Sequence, residues 1–183
     1  MNKTVLVPIA DGTEELEAVT IIDTLRRAGA QVTVASVSGL QIVASRKVKL
    51  AADVLIKDCK GRTYDCIALA GGMPGAEHLR DCATLTDLLK EQDKAGRVIA
   101  AICASPAVVL AHHGLLKGRK ATCYPSFQDK LPDKSAAGQR VVVDGHFITS
   151  QGPGTALEFS LALVEALFGP ERKKQVAEPM LAE

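Results

Sequence analysis

The chain has 183 residues, 47% of them hydrophobic, and its 22 lysines and arginines nearly balance 21 aspartates and glutamates, for a formal charge of +1. That length fits one domain, 1–183, with a sizeable core; the charge balance removes any electrostatic case for nucleic acid or an anionic membrane as partner. No apolar run is long enough to span a bilayer, and the five cysteines, at 59, 66, 82, 103 and 123, form no C-x-x-C pair, disulfide framework or zinc pattern.

The opening M-N-K-T-V-L-V-P-I-A is too short and wrongly flanked for a signal peptide, so a cytoplasmic protein is expected. Residues 4–10 read as a buried strand. Thr13 suits the N-cap of a helix that runs to about residue 28 and stops at Gly29. Residues 31–37 are a second strand. After a turn at Gly39, residues 41–44 and 48–51 predict a short hairpin appended to the main sheet. Residues 65–70 are an apolar strand ending at Gly71-Gly72, followed by helices over 76–80 and 84–95, a strand over 98–102 and a helix over 106–112. Short strands are predicted over 120–123, 140–143 and 147–149, with 126–139, polar and carrying Pro132 and Gly138, mostly an exposed loop. Thr155-Ala156-Leu157-Glu158 matches a capping box, and Leu157, Leu161, Val164 and Phe168 follow at helical spacing until Gly169-Pro170. A last short helix is predicted over 173–177.

Apolar strands alternating with amphipathic helices imply a mostly parallel sheet covered on both faces. In such folds the active site lies beyond the carboxyl ends of the strands. Three loops therefore matter: those after Ala10, Ala70 and Ile102.

Cys103 stands where the strand over 98–102 meets the helix at Pro106. It has two readings. Free cysteines are commonly buried and inert, and Cys59, Cys66 and Cys82 are read that way. A strand that turns at once into a helix also resembles a nucleophile elbow. Ala101, Ala104 and Ser105 are small enough for the turn, Pro106 suits a first helical turn, and a helix N-terminus lowers a thiol pKa. Glu17 lies one turn before Ile21, at the edge of the face made by Ala18, Ile21, Ile22 and Leu25. Burial there would favour a protonated carboxyl able to donate to a thiolate and move protons. The other reading is an acid placed for the helix dipole, which suffices for Glu14 and Glu15. Gly71 and Gly72 let backbone approach a ligand, and their N–H groups with that of Ala104 could form an oxyanion hole, or simply a tight turn. None of His78, His112, His113 and His146 completes a Cys-His pair by local pattern, and no dinucleotide or P-loop motif is present.

Asp11 to Glu17 (D-G-T-E-E-L-E), Leu69-Ala70-Gly71-Gly72, Ala100 to Pro106 (A-A-I-C-A-S-P) and Thr149 to Thr155 (T-S-Q-G-P-G-T) resemble the signature blocks of the ThiJ/PfpI superfamily, in order, within a likeness from about residue 3 to 180. The resemblance is to its parkinsonism-associated deglycase branch, closest to bacterial YajL-type members. It implies a flavodoxin-like three-layer α/β/α sandwich that forms a homodimer. It implies that Cys103 is the nucleophile on a strained elbow, that Glu17 is its protonated partner, and that Gly72 and Ala104 supply oxyanion N–H groups. Ser45-Arg46 matches a family pair, with Arg46 reaching the partner subunit's site. Arg27 and the Gly152-Pro153 turn match positions near site and interface.

The departures also matter. Ala104 stands where protease-like members carry histidine, which argues against a peptidase. Tyr124 stands where many relatives have a histidine, leaving proton transfer to Glu17. Ala70 replaces a proline before Gly71-Gly72, implying a less rigid loop. Cys123, beside Tyr124, is either a passive strand cysteine or a neighbour of Cys103.

The expected function is a cofactor-independent, metal-free cysteine enzyme acting on reactive dicarbonyls such as methylglyoxal, or on early glycation adducts. The alternative is a redox sensor or redox-regulated chaperone working through oxidation of Cys103 to sulfinate. A thiol hydrolase ranks last for want of a histidine.

Overall fold

In the computed structural model, which describes residues 3–182, nine strands and five α-helices alternate along the chain. The strands are β1 (Thr4–Ile9), β2 (Gln31–Ser36), β3 (Gln41–Val43), β4 (Lys49–Ala51), β5 (Val54–Leu55), β6 (Cys66–Leu69), β7 (Val98–Ile102), β8 (Val141–Asp144) and β9 (Phe147–Ser150). The helices are α1 (Glu15–Arg27), α2 (Gly75–Arg80), α3 (Ala83–Lys94), α4 (Ala156–Phe168) and α5 (Pro170–Ala177). Seven strands form one sheet in the order β5-β2-β1-β6-β7-β9-β8, parallel except for β8 against β9. β3 and β4 pair as a separate antiparallel hairpin, as the sequence predicts.

Strand alternation distributes the core over the two faces. Val5, Val7 and Ile9 of β1 point to the layer of α1, α4 and α5, where they meet Ile21, Leu25, Phe159 and Val164. Leu6 points the other way, with Ile67 and Leu69 of β6, toward Leu79, Leu85 and Leu89 of α2 and α3. This is the flavodoxin-like sandwich implied by the resemblance. Among the described residues no helix is long and apolar enough to cross a membrane. From β1 the chain moves outward to β2 on one side, and β6 lies on the other. The order reverses between β1 and β6, so a crevice opens beyond their carboxyl ends.

Four expectations need correction. Residues 120–123 are not a strand, because their N–H groups are taken by side chains: Lys120 N–H donates to Asp144 at 2.8 Å and Thr122 N–H to Thr149 Oγ1 at 3.0 Å. The 126–139 stretch is mostly exposed, as expected, but it is not loop throughout. It begins in a 3-10 turn, Pro125–Lys130, and buries Leu131, Ala136 and Ala137. Thr155 makes no cap hydrogen bond to α4. Its hydroxyl instead meets Ser150 Oγ at 2.6 Å and Gly152 N–H at 3.1 Å, and Glu158 pairs with Arg140 at 2.7 Å. Thr13 is not the cap of α1 either; its hydroxyl accepts from Ala10 N–H at 2.9 Å, and the helix starts at Glu15. The two-residue β5 had no periodicity by which to be read.

Phe159 on α4 is fully buried against the sheet. Phe159→Ala should lower the unfolding free energy by about 3–5 kcal/mol, measured by urea titration, through lost transfer energy and the cavity left behind.

Candidate active site

The crevice is shaped first by glycines. Gly72 has φ of +89°, and a Cβ there would fall 2.4 Å from Glu14 N and from Gly12 O. A Cβ on Gly71 would fall 2.6 Å from Cys103 Cβ and 3.1 Å from its sulfur. The loop after β6 can therefore press against both neighbouring loops only as glycine. Glu14 N–H donates to Gly71 O at 2.9 Å and fixes that approach.

Cys103 itself has φ of +63°, a left-handed conformation that costs a non-glycine residue about 1–2 kcal/mol. The surroundings impose it. Its N–H donates to Ser150 O at 3.0 Å, and its carbonyl accepts from Tyr124 N–H at 2.8 Å. Next to it, the Ser105 hydroxyl donates to Ala70 O at 2.6 Å. Beyond the elbow, Pro106–Ala111 winds as a wide π-helical segment in place of the expected α-helix. The elbow holds the thiol at the mouth of the crevice, partly buried.

Glu17 comes from the first turn of α1 and is fully buried. Its Oε2 accepts from Gly71 N–H at 2.7 Å, and among the described residues its Oε1 has no hydrogen-bond partner. Burial pushes its pKa up to about 7, against the opposing pull of the Gly71 N–H and Cys103. Burial also pushes the Cys103 thiol up, to about 12, and the Glu17 charge adds to that, while the N–H groups of Gly72 and Ala104 lower it. A helix start favours a thiolate; here dehydration and a neighbouring carboxylate oppose it, while the two N–H donors support it. The Glu17 contribution exists only while Glu17 is ionised. Moving one proton from the thiol to Glu17 removes it and leaves a thiolate facing the Gly72 and Ala104 N–H groups. The two residues therefore titrate as a pair.

The cavity over Cys103 measures about 350 Å³ and is lined by Glu14, Ser45, Arg46, Gly72, Met73, Cys103, Ala104, Tyr124, Phe127 and Pro153. The structure thus gathers Cys103, Gly72, Ala104, Arg46, Tyr124 and Pro153 on one wall system, with Glu17 and Gly71 directly behind. Gly152 lets Tyr124 lie close, since a Cβ there would be 3.3 Å from its ring. Arg27 is not brought to this cavity. It sits ten residues beyond Glu17 on α1, toward the other end of the sheet, paired with Asp23 at 2.6 Å. Cys123 is fully buried, and burial pushes its thiol up to about 12. None of the four histidines lines the cavity.

Sequence reading missed what positions Arg46. Glu15 is nearly buried, and its carboxylate accepts from the Ser45 hydroxyl at 2.8 Å and from Arg46 N–H at 2.8 Å. Burial alone would raise its pKa, but these bonds, with those of its own and the Val48 N–H groups, hold it below the usual carboxylate range. Glu14 accepts from the same Ser45 hydroxyl at 2.6 Å. Two acids assigned to the helix dipole thus clamp the hairpin turn to the site. No spacing signal connects residues so far apart in the chain.

The family model of the DJ-1/PfpI family matches residues 3–166. "Protein DJ-1 homolog B" of Arabidopsis thaliana is 52% identical over 97% of this chain, which spans 41% of that protein's length, less than half. A Caenorhabditis elegans protein named "Glutathione-independent glyoxalase DJR-1.2" is 39% identical over 96% of this chain and 94% of its own. The structure of oxidized DJ-1 from Toxoplasma gondii superposes with a TM-score of 0.96 at 52% identity, covering 98% of each chain.

Two pH effects follow. Iodoacetamide alkylation of Cys103, followed by mass spectrometry, should rise through one ionisation near pH 7, and Glu17→Gln should move that step to higher pH because the thiol loses its base. Because the folded pKa of Glu17 (about 7) exceeds its ordinary 4.5, the native state holds an extra proton between those values. The native chain should therefore lose about 3 kcal/mol of stability as pH rises through that window, a loss absent in Glu17→Gln when both are unfolded in urea.

Proposed function

This chain belongs to the DJ-1/PfpI family, and we propose that it is a cofactor-independent cysteine enzyme that converts 2-oxoaldehydes such as methylglyoxal into 2-hydroxy acids. The observation that carries the reading is the buried Glu17 carboxyl, with one oxygen fixed by Gly71 N–H and the other unpartnered, coupled to a thiol on a positive-φ elbow.

The chemistry follows from these groups. The Cys103 sulfur adds to the aldehyde carbon, and the thiol proton passes through Glu17 to the aldehyde oxygen, giving a hemithioacetal. The N–H groups of Gly72 and Ala104 stabilise charge on that oxygen. Glu17 carboxylate then removes the hydrogen on the former aldehyde carbon and passes it to the ketone oxygen, forming an enediol; the hydroxyl proton on the former aldehyde carbon then moves through Glu17 to the neighbouring carbon, leaving a thioester carbonyl. The former aldehyde carbon is oxidised and the ketone carbon reduced, so no external redox partner is consumed. Water cleaves the resulting hydroxyacyl thioester, releasing lactate and the thiol. The same steps on an early adduct of the dicarbonyl with an amine would release the amine and a hydroxy acid. The name of the Caenorhabditis elegans relative supports this reading.

A homodimer is part of the proposal. Leu16 and Val19 on the outward face of α1 are 52% and 49% exposed, and Val43 and Val48 of the hairpin are 42% and 49% exposed. Together they make an apolar surface next to Arg46 of the kind that subunit contact covers.

A second reading has its own support. A sulfinate on Cys103 would find the Gly72 and Ala104 N–H groups and the Glu17 carboxyl as hydrogen-bond partners, and the similar Toxoplasma gondii structure is of an oxidized form. A redox-responsive module would use the same residues without turnover.

The test is methylglyoxal consumption without glutathione, with chiral detection of lactate. The native chain should yield one lactate enantiomer over many turnovers, Cys103→Ser none, and Glu17→Gln about a hundredfold less or lower. Consumption that stops at one adduct per Cys103 would reject the enzyme reading in favour of the redox one.

A further inference from the structure

The Cys103 cavity, at about 350 Å³, lies in the size range that holds drug-sized ligands, far beyond what a three-carbon dicarbonyl fills. It also has a neighbour. A second cavity of about 260 Å³ lies between α2, the π-helical segment and the end of the 3-10 turn, and Met73 lines both. Met73 is 42% exposed, so the wall between the cavities is a flexible, adaptable side chain.

The far cavity carries Glu77, Arg80, His112 and Lys130. Arg80 uses Nε and Nη2 on Asp81, at 2.7 and 2.9 Å, and among the described residues its Nη1 donors have no hydrogen-bond partner. Glu77 also acts on the Arg80 charge. Lys130 is differently placed. The acid beside it in sequence, Asp129, is taken by Lys134 at 2.9 Å. The Lys130 ammonium lies 5.2 Å from the centroid of the Phe127 ring, and that ring lines the Cys103 cavity. Lys130 thus lines the far cavity while lying over a ring that lines the near one.

We propose that the second cavity is a tail subsite, with Lys130 and Arg80 selecting substrates whose reactive carbonyl carries an anionic group, carboxylate or phosphate, at the end of an arm that crosses Met73. This rests on the reading of Cys103 as the nucleophile of a dicarbonyl enzyme. It enlarges the substrate class from free methylglyoxal to acidic 2-oxoaldehydes and to glycation adducts of acidic molecules. Arg46 lines the near cavity, so it is the competing anion site that the test must separate.

Two arms keep the proposal distinct from the turnover reading. In the first, Cys103 is alkylated by iodoacetamides bearing a six-carbon chain that ends in carboxylate, phosphonate or neutral amide, and second-order rates are compared. The native chain should prefer the anionic reagents by about two- to fivefold at low salt, the range of exposed ion pairs, with the preference fading at high salt. Lys130→Ala should remove most of it and Lys130→Glu should invert it; both change an exposed side chain, so folding is not at stake. Preference for carboxylate over phosphonate, or the reverse, assigns the anion. In the second arm, kcat/KM is measured for eight-carbon 2-oxoaldehydes ending in carboxylate or in methyl, and the ratio should fall in Arg80→Ala and Lys130→Ala. Anionic preference in alkylation without catalytic turnover would keep the subsite and reject the dicarbonyl reading. Equal rates for anionic and neutral reagents, or a preference lost in Arg46→Ala but not in Lys130→Ala, would overturn the subsite.

Discussion

A carboxyl group sealed away from water governs this site. Glu17 is fully buried, and the Gly71 N–H donates to its carboxyl at 2.7 Å. In water a glutamate is ionised at neutral pH and a thiol is not. Here dehydration brings the carboxyl to about 7, where it can both take and give a proton. The same dehydration and the Glu17 charge push the neighbouring thiol up, so neither group ionises independently of the other. The ionisation of the site belongs to the pair and to the two backbone N–H groups that face the sulfur.

Keeping that pair together places demands on the rest of the fold. Gly71 must lack a side chain to come within reach of Cys103, and Gly72 must turn with positive φ to fit against Gly12 and Glu14. Cys103 must itself take a left-handed backbone, and bonds from Ser150 and Tyr124 hold it there. These contacts come from the ends of β6, β7 and β9 and from the loop after β1, so the strain is supported by a rigid parallel sheet. The acids at the start of α1 extend the logic outward. Glu17 faces the sulfur, while Glu14 and Glu15 grip the hairpin turn that carries Arg46.

Much of this was legible in the sequence. Strands read over 4–10, 31–37, 65–70 and 98–102, alternating with amphipathic helices, announced a parallel sheet, and the observed β1, β2, β6 and β7 follow them within a residue or two. Small residues around Cys103 and the proline after it marked an elbow. The apolar face of α1 put Glu17 at the edge of the core. Illegible were features made by distant partners: the 120–123 segment, whose donors go to Thr149 and Asp144 rather than to a strand, and Thr155, whose hydroxyl turns back to Ser150 and Gly152. Local patterns record local competition only, and in both places a side chain from elsewhere won.

The sequence by itself determined the layered architecture and pointed to Cys103 and Glu17, the residues the folded chain brings together, because hydrophobic period and turn composition are local properties. Only the tertiary structure decided how those residues ionise. Cys103 at a helix start reads as an acidified thiol when its neighbours are counted along the chain. In space it lies beside a dehydrated carboxyl that pushes the other way. The tertiary structure likewise separated Arg27 from the site, joined Glu15 to Arg46, and set a second cavity behind Met73. Dehydration and charge pairing depend on what the folded chain excludes and encloses, and no spacing of residues along one strand or helix carries that information.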